Sequence, residues 1–534
     1  MSPPELVGAD GRTPLRAMSA TPYRAGDRLS QELAGWDPSL QSPDAAMWGQ
    51  REDIVARVTD LARNNGFVAG ARQSQVDNLI GANWMLAVDP NWYALGLDSM
   101  PDEERDAWEE SVEEKFDEWA NDVGCWVDAG RRVTFIGLLR QAFTSWFDAG
   151  EFLALALWLS DRIGPGRARY ATALQMVSPD RLSNPNGAPD SSGMRNGIEL
   201  GVYGEPLAYH IRRAHPYDPW LDAGSMEWER LEREDAYGRP NVLHGFVVEG
   251  DGMTRGVSPL TPVAEAFRLH DVLDRATVKA GLINTLVAAV IQTQTGLDPE
   301  SLTTLFAGSV DSATGKPVPA IGGPAMRLDR TIIPKLPPGT ELKFTNPVQP
   351  AGAAYQQFTD AVLRREAAGL GMSFEELSRD FSKTNYSSAR ASLLGAWKAI
   401  TGRSAFLERT FAAPVYGLWF EEAVDRGEIE LPTMRSTKAA GFYERRSAWL
   451  RHAWIGPGRG HIDPVKERQA YQIGRDTLTD SLQSANAEQG RDWRKTARQI
   501  ARENRALNRL GITAATTASL LGVKGTSEDE RPAA

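Results

Sequence analysis

The chain has 534 residues, of which 42% are hydrophobic and 24% charged; this is ordinary for a globular protein of about two to four domains and excludes wholesale disorder. Its formal net charge is −11, which argues against a protein that wraps nucleic acid tightly, because tight binders carry clustered Lys and Arg. An acidic lining that repels phosphates would still suit a protein that encloses a duplex and leaves it mobile.

Cys125 is the only cysteine. Neither an intrachain disulfide nor a cysteine-based zinc cluster can form, and its place after an amphipathic stretch predicts a buried, unreactive thiol. The opening MSPPELVGADGRTPLR lacks the apolar run of a signal peptide. The longest apolar run, Leu282 to Ile291, is broken by Asn284 and Thr285 and spans about half of the roughly twenty residues a membrane helix needs. A soluble protein with no membrane partner is expected.

Residues 1–46 are rich in Pro, Gly, Ser and Asp and read as an extended arm. A helical pattern begins near Met47 and runs through Ile54, Val58 and Leu61. It breaks at Arg63-Asn64-Asn65-Gly66 and resumes as a second helix through Ile80. Trp108, Val112, Phe116, Trp119 and Val123 recur at helical spacing. Glu109, Glu110, Glu113, Glu114 and Glu118 lie between them and predict a solvated acidic face. A further helix is expected from Val133 to Phe147, ending near Gly150.

From Glu151 to Gly250 short apolar runs alternate with turn residues. Strands are expected at Phe152–Leu159, Ala173–Val177, Leu207–Ile211 and Val242–Val248, with a turn at Asn184-Pro185-Asn186-Gly187. Ser258-Pro259 reads as the N-cap and first position of a long helix. Leu269, Val272, Leu273, Ala276, Ala280 and Ile283 line one face of it; Glu265, Arg268, Asp271, Arg275 and Lys279 line the other. About 25 residues at about 1.5 Å each make it roughly 37 Å long.

Residues 296–350 hold many Pro and Gly, with strand-like pieces at Thr331–Ile333 and Glu341–Phe344, and read as a small α/β insertion. A second helix follows from about Ala353 to Ala368, carrying Tyr355, Phe358 and Val362. Gly369 and Gly371 can terminate it, and Ser373 with Glu376 forms a capping box. The polar segment Ser378 to Ser388 leads into a long helix through Leu393, Trp397, Ile400, Leu407, Phe411, Val415 and Leu418, which Pro414 should kink. Helix is expected again from Pro464, and the last residues, including Ser527-Glu528-Asp529-Glu530-Arg531, read as disordered. The fold class is α+β, mainly helical.

No catalytic constellation emerges. Six residues separate Gly308 from Gly315-Lys316 where a P-loop has four, and Pro317 stands where Ser or Thr is required. Gly456-Pro457-Gly458-Arg459-Gly460 lacks dinucleotide-binding spacing and reads as a tight turn. G-x-S-x-G and H-E-x-x-H motifs are absent from the sequence. His210, His215, His244, His270, His452 and His461 are scattered without metal-ligand spacing and are expected in the surface or core. No catalytic residue, metal or cofactor is expected. One basic cluster stands out: Arg491, Arg494, Lys495, Arg498, Arg502, Arg505 and Arg509, against Asp492 and Glu503. It reads either as a DNA- or partner-facing helix or as a solvated face with Trp493, Ala497, Ile500 and Leu507 packed inward.

Several segments resemble the lambda-like phage portal family. Ala62-Arg63-Asn64-Asn65-Gly66 resembles its R-N-N-G-Y signature, with Phe67 in place of the usual Tyr. Met176-Val177-Ser178-Pro179-Asp180-Arg181-Leu182-Ser183-Asn184-Pro185-Asn186 is similar to its V-x-P-x-R-I-S-N-P strand and turn. The fullest match runs from Ala367 to Asp380 through Gly369-Leu370-Gly371-Met372-Ser373-Phe374-Glu375-Glu376-Leu377-Ser378-Arg379, and continues at Asn385-Tyr386-Ser387-Ser388-Ala389-Arg390-Ala391. Trp454-Ile455-Gly456-Pro457-Gly458-Arg459 and Ile462-Asp463-Pro464 resemble the lead-in to the family's crown. These matches keep the family's order and cover most of residues 25–510; residues 187–245 and 305–325 match nothing in it.

The resemblance implies the portal fold and its domain order: an arm over 1–46, a wing over 47–257, a first stem helix over 258–283, a clip over 284–349 and a second stem helix over 350–372. A tunnel loop over 373–388, a long kinked wing helix over 389–440, a crown over 441–520 and a disordered tail over 521–534 would follow. It implies a dodecameric ring at one capsid vertex through which double-stranded DNA passes during packaging and ejection. The expected partners are the terminase large subunit, a head–tail adaptor, and the major capsid and scaffold proteins. The expected locations are the virion and, during assembly, the host cytoplasm. Arg379, Lys383 and Asn385 in the tunnel loop are the expected DNA contacts, and the chain itself is expected not to be an enzyme. The competing readings are another capsid component such as a head–tail adaptor, and a metal-dependent DNA-processing enzyme.

Overall fold

The computed structural model describes residues 33, 35–218, 223–286, 290–293, 309–310, 317–318, 340–343, 352–382, 386–432, 441–458 and 464–510. Most of the arm over 1–46, the strand expected at Thr331–Ile333, and the tail over 521–534 lie outside them.

The first helix, α1 (Pro43–Met47), is capped by Ser42, whose side chain accepts from the Ala45 amide. Asp44 is buried and accepts from the Thr254 amide at 2.8 Å and its hydroxyl at 2.9 Å. The arm expected through residue 46 therefore ends in a short helix pinned to a distant loop. Helix α2 (Arg51–Asn64) stops at Asn65, whose side chain accepts from the Phe67 and Val68 amides and so caps α3 (Gly66–Leu79). The Asn-Gly break is thus a helix-capping device. Strand β1 (Met85–Val88) and helix α4 (Asp102–Ala120) follow.

Helix α4 departs from the expected solvated acidic face. Glu109 and Glu113 are both buried, because residues remote in sequence roof them over: Trp92 and Val88 on one side and a C-terminal helix on the other. Val123 is fully exposed beyond the helix end. Cys125 is half-buried at φ +51°, in a turn outside the core, which corrects the expected buried thiol.

Helix α5 (Phe135–Ala149) buries Leu138, Leu139, Ala142, Phe143 and Phe147. It ends at Gly150 in the left-handed region, with φ +85°. The chain then turns directly into β2 (Glu151–Trp158), the central strand of an antiparallel sheet with β3 (Thr172–Val177) and β8 (Val242–Phe246). A second antiparallel sheet has the order β4 (Met194–Arg195), β5 (Ile198–Leu200), β6 (Pro206–Arg212) and β7 (Trp228–Glu232). All four expected strands of this block are present; β4, β5 and β7 are additional. A small apolar cluster of Leu153, Val177, Leu182, Ile198, Tyr209, Ile211 and Val242 joins the two sheets.

Ser258 does not cap the long helix. Its hydroxyl donates to the Phe147 carbonyl at 2.6 Å and accepts from the Leu260 amide, holding a tight turn. A 3-10 turn at Thr261–Val263 follows, and the α-helix, α6 (Ala264–Leu286), begins only there. Its inward face runs through Phe267 and His270, whereas Leu269 and Val272, expected on the apolar face, are exposed. Short strands pair beyond it, β9 (Val290–Thr293) with β12 (Thr340–Lys343) and β10 (Ser309–Val310) with β11 (Pro317–Val318). The strand expected at Glu341–Phe344 corresponds to β12.

Helix α7 (Gly352–Leu370) packs along α6 and buries Leu363, Glu366, Ala367 and Leu370. After α8 (Phe374–Ser378) comes the long α9 (Tyr386–Leu407), a π-helical turn at Glu408–Ala412, and α10 (Ala413–Asp425). The wide turn immediately precedes Pro414, the kink site read from the sequence. A π turn is one way a helix accommodates a proline's missing donor and the clash of its ring with the preceding turn. Helix α11 (Arg446–Trp449) leads to β13 (His452–Ile455), which pairs antiparallel with β1, and then α12 (Pro464–Asp476), α13 (Leu482–Ala487) and α14 (Trp493–Arg509) complete the described chain.

The main core is aromatic. Phe116 and Trp419 meet edge-on at 5.2 Å, with Phe135, Tyr416, Trp119 and Trp454 around them. Elements from residues 58 to 449 contribute to it, which is why β1 and β13, far apart in sequence, are brought together. Among the described residues, no helix is long and apolar enough to cross a membrane.

Candidate functional site

The segment between α7 and α9 holds the one cluster of site residues expected from the sequence. Gly371, at φ +65°, ends α7. Ser373 and Glu376 then form the expected capping box: the Glu376 amide donates to Ser373 Oγ at 3.1 Å and the Ser373 amide donates to Glu376 Oε2 at 3.1 Å. This fixes the start of α8, whose Leu377 is buried.

Helix α8 is fastened on three sides. Asn78 of α3 donates to Glu376 Oε1 at 3.4 Å, and Ser392 of α9 donates to Glu375 Oε2 at 3.1 Å. The Arg364 guanidinium of α7 sits 4.6 Å from the Phe374 ring centre, a cation–π contact. Arg403 of α9 donates to the Leu370 carbonyl at 2.7 Å and also bonds Gln75 of α3. The frame around the segment is therefore rigid on the α3, α7 and α9 sides.

Past that frame the chain turns outward. Arg379 has φ +57°, an uncommon conformation for a side-chain-bearing residue, and its side chain is exposed. Two local bonds hold the turn: the Asp380 amide donates to Ser378 Oγ at 3.2 Å, and the Ser382 amide to Asp380 Oδ1 at 2.9 Å. Phe381 is 58% exposed. No carboxylate among the described residues pairs with Arg379. Lys383 and Asn385 lie outside the described residues, so of the three expected contacts only Arg379 can be placed.

The helix pair leading to this segment encloses a polar cluster around His270, which the sequence places only among scattered histidines. His270 of α6 is buried, stacked on Phe67 at 5.6 Å, with Nδ1 3.4 Å from Glu366 Oε2 of α7 and Nε2 3.7 Å from Asp274. Burial raises the Glu366 pKa, against the opposing pull of His270. Tyr355 bonds Asp274 across the same pair of helices. These contacts fix how α6 and α7 lie together.

The other buried charge centre is Glu151 at the start of β2. It takes Arg51 at 2.5 Å, Arg255 Nε at 2.8 and 3.0 Å, His244 at 3.0 Å and the Gly256 amide at 3.0 Å. Arg255 also donates to the Pro179, Leu182 and Asn196 carbonyls. Burial opposes the carboxylate's charge, but Arg255, Arg51 and His244 together hold its pKa well below the usual range. The arginine links the first helices to both sheets, including the turn at Pro179 to Asn196. Among the described residues, no group of three or more His, Cys, Asp or Glu side chains is arranged to hold a metal ion.

A family model described as phage portal protein, lambda family, matches residues 29–403. The chain belongs to this family. It is 32% identical over its full length to the portal protein of Escherichia phage N15, covering 99% of that protein. Over 99% of its length it is 31% identical to portal protein B of Escherichia phage lambda, covering 98% of it. The probable portal protein of Halomonas phage phiHAP-1 is 24% identical over 88% of the chain and 83% of its own length. Among solved structures, the neck of an empty gene transfer agent particle is similar at a TM-score of 0.44 and 13% identity, over 83% of this chain and 94% of that one. The phage-portal reading of the sequence holds, and the adaptor and nuclease alternatives are not supported. Phage portal proteins are components of the virion.

Proposed function

We propose that twelve copies of this chain close into a ring at one vertex of a phage or prophage capsid, and that double-stranded DNA passes through its bore during packaging and ejection. The observation that carries this is membership of the lambda portal family across residues 29–403, with full-length likeness to two phage portal proteins. Closed rings of this kind are built from heterologous contacts that repeat by rotation. The portal's part is mechanical: it guides DNA, while a separate terminase supplies ATP hydrolysis.

On this reading residues 258–283, which hold most of α6, and residues 350–372, which hold α7, are the two stem segments, residues 284–349 the clip, residues 373–388 the tunnel loop, and residues 441–520 the crown. Residues 47–257 and the long helix over 389–440 form the wing, with the arm over 1–46. The clip docks the terminase large subunit and later a head–tail adaptor; the wing and arm meet major capsid and scaffold proteins. The ring assembles in the host cytoplasm and ends in the virion.

Arg379, Lys383 and Asn385 would meet phosphates in the bore. The support is that α8 is bolted to three helices while Arg379 projects beyond it. A few cations repeated around an acidic ring give weak, sequence-independent contact, so the duplex can slide. The test is packaging in extract with Arg379→Ala plus Lys383→Ala, scored by packaged length and genome retention. Shortened or leaking genomes in rings that still assemble are expected; full-length, stably held genomes would remove this segment from the mechanism. A second variant lacking residues 309–323 should impair packaging more than ring formation, and normal packaging would refute the clip assignment.

A further inference from the structure

Helix α14 carries a one-sided row of positive charge. At about 100° per residue, Arg494, Lys495, Arg498, Arg502, Arg505 and Arg509 all fall within an arc of about 100°, and no other residue of α14 falls inside it. Arg491 stands just before the N-cap Asp492, whose side chain accepts from the Lys495 amide at 2.9 Å. From Arg491 to Arg509 the row extends about 27 Å at about 1.5 Å per residue. Trp493, Ala497, Ile500 and Leu507 occupy the opposite side, and Ile500 is 52% exposed. Trp493 and Leu507 are half-buried and Ala497 is exposed, so the apolar face is only partly covered.

Its ion pairs with the body lie in its first half. Arg494 reaches Asp106 and Glu109 of α4 at 2.8 Å each, and Arg498 pairs with Glu110. Glu113 and Asp492 complete the acidic surroundings there. Lys495 is exposed and interacts electrostatically with Glu113; beyond that point Arg502, Arg505 and Arg509 are exposed, as is Arg491, and no carboxylate among the described residues forms an ion pair with these four. Two cations thus anchor the helix to α4, and the rest of the row faces solvent on a chain whose net charge is −11.

We infer that the solvent-facing basic row of α14 is a second DNA-binding surface, separate from the segment at Arg379, that grips duplex phosphates without reading sequence. A straight row of guanidinium groups on a rigid helix matches a phosphate backbone in charge and reach. The ligand is named through the portal reading, but the binding itself can be measured on the purified chain, whether or not it forms rings.

The test is duplex binding by the full-length chain across a salt series. Arg502→Gln with Arg505→Gln and Arg509→Gln keeps the helix and removes three charges. A control, Arg57→Gln with Arg167→Gln and Arg213→Gln, removes three exposed arginines elsewhere and matches the change in net charge. The α14 variant should bind about tenfold or more weakly at moderate salt, with its log–log salt slope shallower by about 0.9 per lost contact; the control should stay within about twofold of the parent. Equal affinities and slopes for the α14 variant and the control would overturn the inference. So would unchanged DNA affinity together with lost self-association by native mass spectrometry, which would show that the row docks on acidic residues of a second copy. A parent chain that binds duplex through α14 yet forms no ring by native mass spectrometry would instead count against the portal reading.

Discussion

Arg255 and Glu151 face each other inside the fold, the guanidinium Nε 2.8 and 3.0 Å from the two carboxylate oxygens, with both side chains buried. Removing the acid by Glu151→Ala leaves Arg255, Arg51 and His244 without their common partner. A buried pair broken on one side costs about 3–5 kcal/mol, so this variant should unfold at much lower denaturant concentration. The folded-state pKa of Glu151 is depressed from 4.5. Its stabilisation is therefore complete above the unfolded value and is lost as pH falls below it. Chemical denaturation between pH 3 and 6 checks both points; a parent-like midpoint for the variant would contradict them.

Glu113 has the opposite sign. Burial pushes its carboxyl from 4.5 up to about 7, against the hydrogen bond from the Val88 amide at 2.9 Å. The neutral form is the one the fold prefers, so stability from this group is greatest below about 4.5 and is lost as pH rises toward about 7. Glu113→Gln keeps an acceptor for Val88 and removes the charge. It should stabilise the protein by about 1–3 kcal/mol at pH 8, with little effect at pH 4. Thermal unfolding at the two pH values tests this, and destabilisation at pH 8 would refute the buried-neutral account.

Gly150 joins α5 to β2 at φ +85°, and a Cβ there would lie 2.4 Å from the Val257 carbonyl carbon and 2.6 Å from the Ser258 nitrogen. Both contacts are with backbone, so the neighbour cannot simply rotate away. Gly150→Ala should destabilise by at least about 2 kcal/mol from strain alone. Gly402→Ala, inside α9 with open space around it, should be neutral or stabilising by helix propensity. Equal stability of the two variants would contradict the packing described at this joint.

The elements that were legible in the sequence are those fixed by local chemistry. The Ser373–Glu376 box, the Asn65 break, the four strands from Phe152 to Val248 and the disturbance at Pro414 each depend on residues within one turn or one strand. What escaped depends on contacts distant in sequence. Glu109 and Glu113 look like a wet helix face until Trp92, Val88 and Arg494 close over them. Ser258 looks like an N-cap until the Phe147 carbonyl takes its hydroxyl. The buried face of α6 is not the one its apolar residues suggest: Leu269 and Val272 are exposed, whereas the buried positions are Phe267 and the charge-paired His270. Of the candidate contacts, Arg379 was found on an exposed turn, but nothing in its sequence neighbourhood shows the bracing by Asn78, Ser392 and Arg403.

Imaging of the purified full-length chain, with native mass spectrometry on the same sample, tests the central claim most directly. The account predicts closed rings with a central hole wide enough for a duplex and a mass of twelve chains. A chain that stays strictly monomeric at high concentration and moderate salt would contradict it.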